Sequence, residues 1–153
     1  MGCGKTTVGK LLSKKLNMKF IDTDNYITTQ TNTNISEIFE KYGEPYFRDL
    51  ENELVKKSKI FVPTVLSLGG GTLINKKNIS ILKNTGKIIY LKASITTIKN
   101  RLKNDNTRPL LKKSSNLELL YKSRCKTYEE AADITVCADK SPYSVCIEII
   151  NNL

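Results

Sequence analysis

Apolar positions along the chain fall into two patterns, a recurrence every three to four residues and short continuous runs, and their alternation predicts helices and buried strands in turn. Val8, Leu11, Leu12 and Leu16 share one face of a helix that Asn17 stops. Lys19-Phe20-Ile21 then reads as a strand running into Asp22-Thr23-Asp24. Asn34 opens a second helix with Glu37 three residues on, the spacing of a capping box, and Ile35, Ile38 and Phe39 face inward until Gly43 ends it. Pro45 suits the first turn of the next helix, whose apolar face is Phe47, Leu50, Leu54 and Val55. Val65 to Leu68 predicts a second strand, which ends in Gly69-Gly70-Gly71. A helix over 75–84, a strand over 87–91 and a helix capped by Ser94 and running through Ile98 and Leu102 follow. Residues 103 to 116 are polar and irregular. Beyond them, Leu117, Leu120, Arg124, Tyr128 and Ala131 mark a helix, Ile134 to Val136 a fourth strand, and Ser141-Pro142 the start of a last helix with Val145, Ile149 and Ile150 inward. Strands alternating with helices predict an α/β fold, a parallel sheet with helices on both faces, in a single domain spanning 1–153.

Composition narrows the setting. A chain of 153 residues that is 39% hydrophobic can bury one substantial core. No apolar run approaches the roughly 20 residues needed to span a bilayer, and the first residues lack a signal-peptide core, so a cytoplasmic protein without membrane contact is expected. Cys3, Cys125, Cys137 and Cys146 show no C-x-x-C spacing, and the chain has no His, which argues against a zinc site and for reduced thiols. Without His, acid–base chemistry falls to Asp, Glu, Lys or activated water. The formal charge of +10 is uneven: residues 76 to 126 carry 14 Lys or Arg against Asp105 and Glu118. An anionic ligand fits that excess. Nucleic acid is one candidate, but the basic residues are not interleaved with aromatics that could stack bases.

Candidate chemistry begins at the first residues. Gly2-Cys3-Gly4-Lys5-Thr6-Thr7 reads as the second half of a phosphate-binding loop, in which backbone N–H groups cup a phosphate chain, a lysine reaches the outer phosphates and the next hydroxyl sits on Mg²⁺. A helix pattern follows at once, as such a loop needs; a glycine-rich turn before an ordinary helix is the competing reading. Asp22 and Asp24 close a strand at the end where open α/β sheets bind ligands. Arg48 and Glu51, three apart, share one side of their helix and form either a surface ion pair or part of a site. Three glycines at a strand end mean close backbone approach or an unusual turn, with a flexible linker as the competing reading. The composition of 103–116 suits a mobile flap.

In this order, G-x-G-K-T-T-x-G, D-T-D, F-R-x-x-E, S-L-G-G-G, R-P-L-L and R-x-x-x-Y closely resemble shikimate kinase, from Met1 to the last helix. The resemblance implies a P-loop fold of the nucleoside-monophosphate-kinase type, with a five-stranded parallel sheet and a lid at about 103–116. It implies transfer of the γ-phosphate of ATP to the 3-hydroxyl of shikimate, in aromatic amino-acid synthesis. By the same resemblance Gly2, Cys3, Gly4, Lys5, Thr6 and Thr7 hold the ATP phosphates, with Lys5 neutralising the transferring group. Thr6 and, through water, Asp22 hold Mg²⁺. Asp24 binds a shikimate hydroxyl and is the candidate base. Arg48, Glu51, Gly69, Gly70, Gly71 and Arg124 complete the substrate site, the two arginines meeting the carboxylate. Arg108 is the lid arginine on the phosphates, and Arg101 lies against adenine. The implied protein is a monomer acting on small molecules, not nucleic acid. In the family a first strand and a first loop glycine precede the position of Met1, so Met1 is expected to be an internal methionine and the chain starting there a weak kinase. A gluconate-kinase-like enzyme, a basic nucleic-acid-binding module and an inactive kinase remnant are the alternatives.

Overall fold

The computed structural model describes residues 2–60, 63–102 and 114–153. Among them are seven α-helices and four strands: α1 (Lys5–Lys15), β1 (Lys19–Asp22), α2 (Thr23–Thr31), α3 (Ile35–Lys57), β2 (Thr64–Ser67), α4 (Lys76–Thr85), β3 (Ile89–Lys92), α5 (Ile95–Leu102), α6 (Ser114–Ala131), β4 (Ile134–Cys137) and α7 (Pro142–Asn151). Four of the five strands implied by the resemblance are therefore present, and all pair in parallel. The chain forms two compact units, Gly9–Gly86 and Met1–Val8 with Lys87–Leu153. The lid expectation and Arg108 fall outside the described residues, except that 114–116 begin α6.

In the Gly9–Gly86 unit, β1 pairs with β2 from Lys19 opposite Thr64 to Asp22 opposite Ser67. A small core of Ile27, Ile38 and Phe47, with Ile35, Phe39 and Leu50 packed against it, joins α2 to α3. The Asn34 cap forms as predicted, its side chain accepting from the Glu37 N–H at 2.9 Å, though Glu37 answers by accepting from the Asn34 amide group. The two helices predicted on either side of Gly43 are one element broken at that residue, whose φ of 79° and ψ of 171° are not helical. Pro45 lies just beyond the break, where a missing N–H costs no helical bond. Helix α2 was not legible in the apolar pattern. Its sequence Thr-Asp-Asn-Tyr-Ile-Thr-Thr-Gln-Thr is poor in helix formers and offers a single buried aliphatic, Ile27. Asp22 starts it by capping, accepting from the Asp24 N–H at 3.2 Å.

In the other unit, β3 pairs with β4 from Ile89 opposite Ile134 to Lys92 opposite Cys137. Asp133, just before β4, accepts from the Ile88 N–H at 2.8 Å and so fixes the start of this ladder. Val136, Val145, Cys146 and Ile149 are almost fully buried where α7 supplies its apolar face. Ser141 caps α7, accepting from the Ser144 N–H, with Pro142 in the first turn as expected.

Candidate active site

The site residues fall into two groups, one in each unit. The phosphate loop rests on backbone conformation. Gly2 and Gly4 have φ of 61° and 92°, left-handed values that L side chains rarely adopt. A Cβ on Gly2 would also meet Leu102 Cγ at 3.0 Å and Ile98 Cγ2 at 3.2 Å. Helix α1 starts directly after the loop, the Val8 N–H donating to Gly4 O at 2.9 Å. Lys5, half-exposed, and Thr6 and Thr7, both exposed, therefore stand in the first turn of a helix whose N-terminus attracts anions.

Arg101, at the end of α5, ties this loop down. Its Nη1 donates to the carbonyl of Cys3 at 3.0 Å and its Nη2 to that of Ala138 at 2.9 Å. The resemblance set Arg101 against adenine; the structure adds that its guanidinium fixes the loop backbone. Asp139 secures the other end of α5, accepting from the Ser94 N–H at 3.0 Å. Ser94 in turn caps that helix, accepting from the Thr97 N–H at 3.2 Å. The Ser94 N–H above all, then the hydroxyls of Thr97 and Ser94 and the Arg101 charge, hold the Asp139 carboxyl below its usual pKa.

Arg124 is buried on α6 and hydrogen-bonds Tyr128 one turn later, which gives the R-x-x-x-Y spacing a physical basis. Burial raises the Tyr128 phenol, and the charge and hydrogen bond of Arg124 pull it part of the way back. The Tyr128 ring packs tilted on Tyr90, centroids 5.5 Å apart.

The second group lies within Gly9–Gly86 and is built from side chains around the buried Glu51 and Thr72. Glu51, only 2% exposed, accepts from Thr72 Oγ1 at 2.7 Å through Oε1 and from Arg48 Nη1 at 2.5 Å through Oε2. Arg48 is also held by Glu44, four residues earlier, which accepts from its Nη2 at 2.6 Å and its Nε at 3.0 Å. Burial opposes the charge on Arg48, but hydrogen bonds and charges of Glu51 and Glu44 outweigh it and raise the guanidinium pKa. Removing one partner of such a buried pair typically costs about 3–5 kcal/mol, because the other charge is left uncompensated.

The three glycines explain themselves here. A Cβ on Gly69 would run into Glu51 Oε1 and lie 2.9 Å from Asp24 Oδ1 and 3.3 Å from Thr72 Oγ1. A Cβ on Gly71 would overlap the Arg48 guanidinium. Bare backbone therefore lets Asp24, Glu51 and Arg48 converge on one strip of chain, with the half-buried Gly70 between. Thr23, buried between the two acids, holds the strip to β2: its hydroxyl donates to Ser67 O at 3.1 Å and accepts from the Gly69 N–H at 2.8 Å.

The structure gathers Asp24, Arg48, Glu51, Gly69 and Gly71 in one place, and separately Gly2, Cys3, Gly4 and Arg101. Sequence reasoning missed Glu44, Thr23 and Thr72. Glu44 could have been found from its i, i+4 spacing to Arg48; the two threonines carry no pattern of their own.

Comparison with known proteins identifies the family. The shikimate kinase family matches the chain over residues 1–153. The chain is similar to a shikimate kinase of Sulfurihydrogenibium, 41% identical over 98% of this chain and 90% of that one, and to one of Macrococcus caseolyticus, 43% identical over 99% and 90%. Its fold superimposes on shikimate kinase from Acinetobacter baumannii, solved in complex with shikimate, with a TM-score of 0.94 at 33% identity, covering 99% of this chain and 87% of that one. A gluconokinase from Sinorhizobium meliloti shares the fold alone, at 14% identity and a TM-score of 0.65. Nine-tenths of the length of each of these two relatives is thus matched, and the chain belongs to the shikimate kinase family.

Proposed function

We propose that this chain transfers the γ-phosphoryl group of ATP to the 3-hydroxyl of shikimate, with the substrate held by the cluster around Gly69–Gly71 and the nucleotide by the loop at Gly2–Thr7. The observation that carries the division of roles is the convergence of Asp24, Glu51 and Arg48 on one glycine strip. A polyhydroxylated ring acid needs acceptors for its hydroxyls and a planar cation for its carboxylate, and this strip offers both. Arg124, buried and oriented by Tyr128, is the second cation for that carboxylate. Asp24 accepts the proton of the attacking hydroxyl as its oxygen bonds to the γ-phosphorus and the bond to the departing ADP oxygen breaks. Lys5 and Arg108 offset the charge on the transferring group.

Thr6 and Asp22 offer a hydroxyl and a carboxylate, hard oxygen donors of the type Mg²⁺ takes in kinases, where substrate phosphates and water supply the other ligands. Among the described residues no three His, Cys, Asp or Glu side chains cluster as a protein-only cage would require, which suits that shared mode of binding. Bound there, Mg²⁺ neutralises phosphate charge and orients the chain of phosphates. The protein acts as a cytoplasmic monomer on small anions, without nucleic acid or membrane. No helix among the described residues is long and apolar enough to cross a membrane, and the described cysteines form no disulfide.

The test is ADP release with Mg²⁺ and ATP in the presence of shikimate or of gluconate, with the product identified by phosphorus NMR. Shikimate 3-phosphate is the expected product. Turnover with gluconate and none with shikimate would overturn the reading.

A further inference from the structure

We infer that Thr72 is a positioning residue for substrate recognition: its hydroxyl fixes the Glu51 carboxyl, which in turn aims Arg48. The inference rests on the reading of Arg48 and Glu51 as the shikimate site. That reading assigns Thr72 to neither nucleotide nor substrate, yet it is the hydrogen-bond donor on Glu51 Oε1, at 2.7 Å, while Arg48 occupies Oε2.

Three bonds hold Thr72 itself in place. Its N–H donates to Gly69 O at 3.2 Å, its carbonyl accepts from Asn78 Nδ2 at 2.9 Å, and its hydroxyl is committed to Glu51. Thr72 and Asn78 are each only 2% exposed, as is Glu51. Asn78 also donates to Asn52 Oδ1 at 2.8 Å, and Asn52 accepts from Asn75 Nδ2 at 3.0 Å as well. A continuous buried line therefore runs from α4 through Asn78 and Thr72 to Glu51 and Arg48 on α3.

Its geometry decides what the hydroxyl does. Glu51 follows Arg48 by three residues, so its carboxyl reaches the guanidinium along the helix surface and could rotate about its terminal torsion, which is broad and roughly two-fold. A donor on Oε1 removes that freedom and presents Oε2 to Arg48. The missing Cβ of Gly69 leaves room for both Glu51 Oε1 and Asp24 Oδ1. Without the hydroxyl, a buried carboxyl oxygen loses its partner and Glu51 is free to turn, which loosens Arg48.

The experiment compares Thr72→Val, which keeps the shape and removes the donor, with Thr72→Ser, which keeps the donor and removes a methyl. Steady-state KM for shikimate, KM for ATP and kcat are measured for each, with Arg48→Lys alongside. For Thr72→Val, KM for shikimate is expected to rise roughly fivefold to tenfold while KM for ATP and kcat hold, and Thr72→Ser to restore most of the loss. If Thr72→Val does not fold, Thr72→Ser against Thr72→Ala makes the same comparison of hydroxyl present and absent. Equal KM values with and without the hydroxyl, or a loss shared equally between ATP and shikimate, would overturn the positioning role. If Arg48→Lys also leaves KM for shikimate unchanged, the fault lies in the substrate-site reading instead.

Discussion

The phosphate loop and the glycine strip are built by opposite means. At the loop, Gly2 and Gly4 carry the information in φ, and the single long side chain that ties the loop down, Arg101, holds backbone carbonyls. At the strip, Gly69 and Gly71 matter for the atoms they omit, and the working groups are side chains, with Glu51 and Thr72 buried to 2% and joined to one another. The difference follows from the ligands. A phosphate chain is recognised by rows of N–H groups and positive charge, which backbone supplies cheaply. A ring acid must be told from other polyols, and that takes fixed side chains whose own partners are satisfied.

The comparison can be broken at several points. The largest effect is expected from Asp24→Asn, which keeps the size of the side chain next to Gly69 but cannot take a proton. Turnover should fall by roughly 10²–10⁴-fold while ATP binding persists; near-normal turnover would remove Asp24 from the reaction. Gly71→Ala comes next, since its Cβ must displace the Arg48 guanidinium. Shikimate binding should be lost and ATP binding kept, which paired titrations of the two ligands would check. Arg101→Ala probes the other side: its hydrogen bond to the loop at Cys3 and its anchoring bond to Ala138, worth about 0.5–1.5 kcal/mol each, vanish, so KM for ATP should rise several-fold with KM for shikimate unmoved.

The smallest effect concerns acid. Asp139 has a folded pKa below its usual value, so its capping of α5 contributes stability above the unfolded carboxyl value, about 3.9, and loses it as pH falls through the folded one. Asp139→Ala should therefore melt below the parent at neutral pH, and the gap should close in acid. A gap that widens on acidification would contradict the assignment.

Much of this was legible in the sequence for identifiable reasons. Seven stretches with strong apolar periodicity or short buried runs became elements within a residue or two of the expected bounds, because each buries one clear face. Helix α2 escaped because capping by Asp22 and one buried Ile27, not a stripe, hold it. The loop glycines were readable because positive φ has a residue signature. The Arg48–Glu51 pair was visible as spacing, but whether it lay on the surface or inside depended on the fold above it, and burial settles it: the Glu51 side chain is 1% exposed. Thr23 and Thr72 were beyond reach, since a threonine acquires its partners only when β1, β2 and α3 are assembled around it.

The division of labour is tested most directly by calorimetric titration of shikimate and of ATP, separately, into the parent protein and Arg48→Lys. Lysine preserves the charge but not the planar fork, so shikimate should bind about 1–3 kcal/mol more weakly while ATP affinity stays the same. Unchanged shikimate affinity, or an equal loss for both ligands, would show that the glycine strip is not where the ring acid is held.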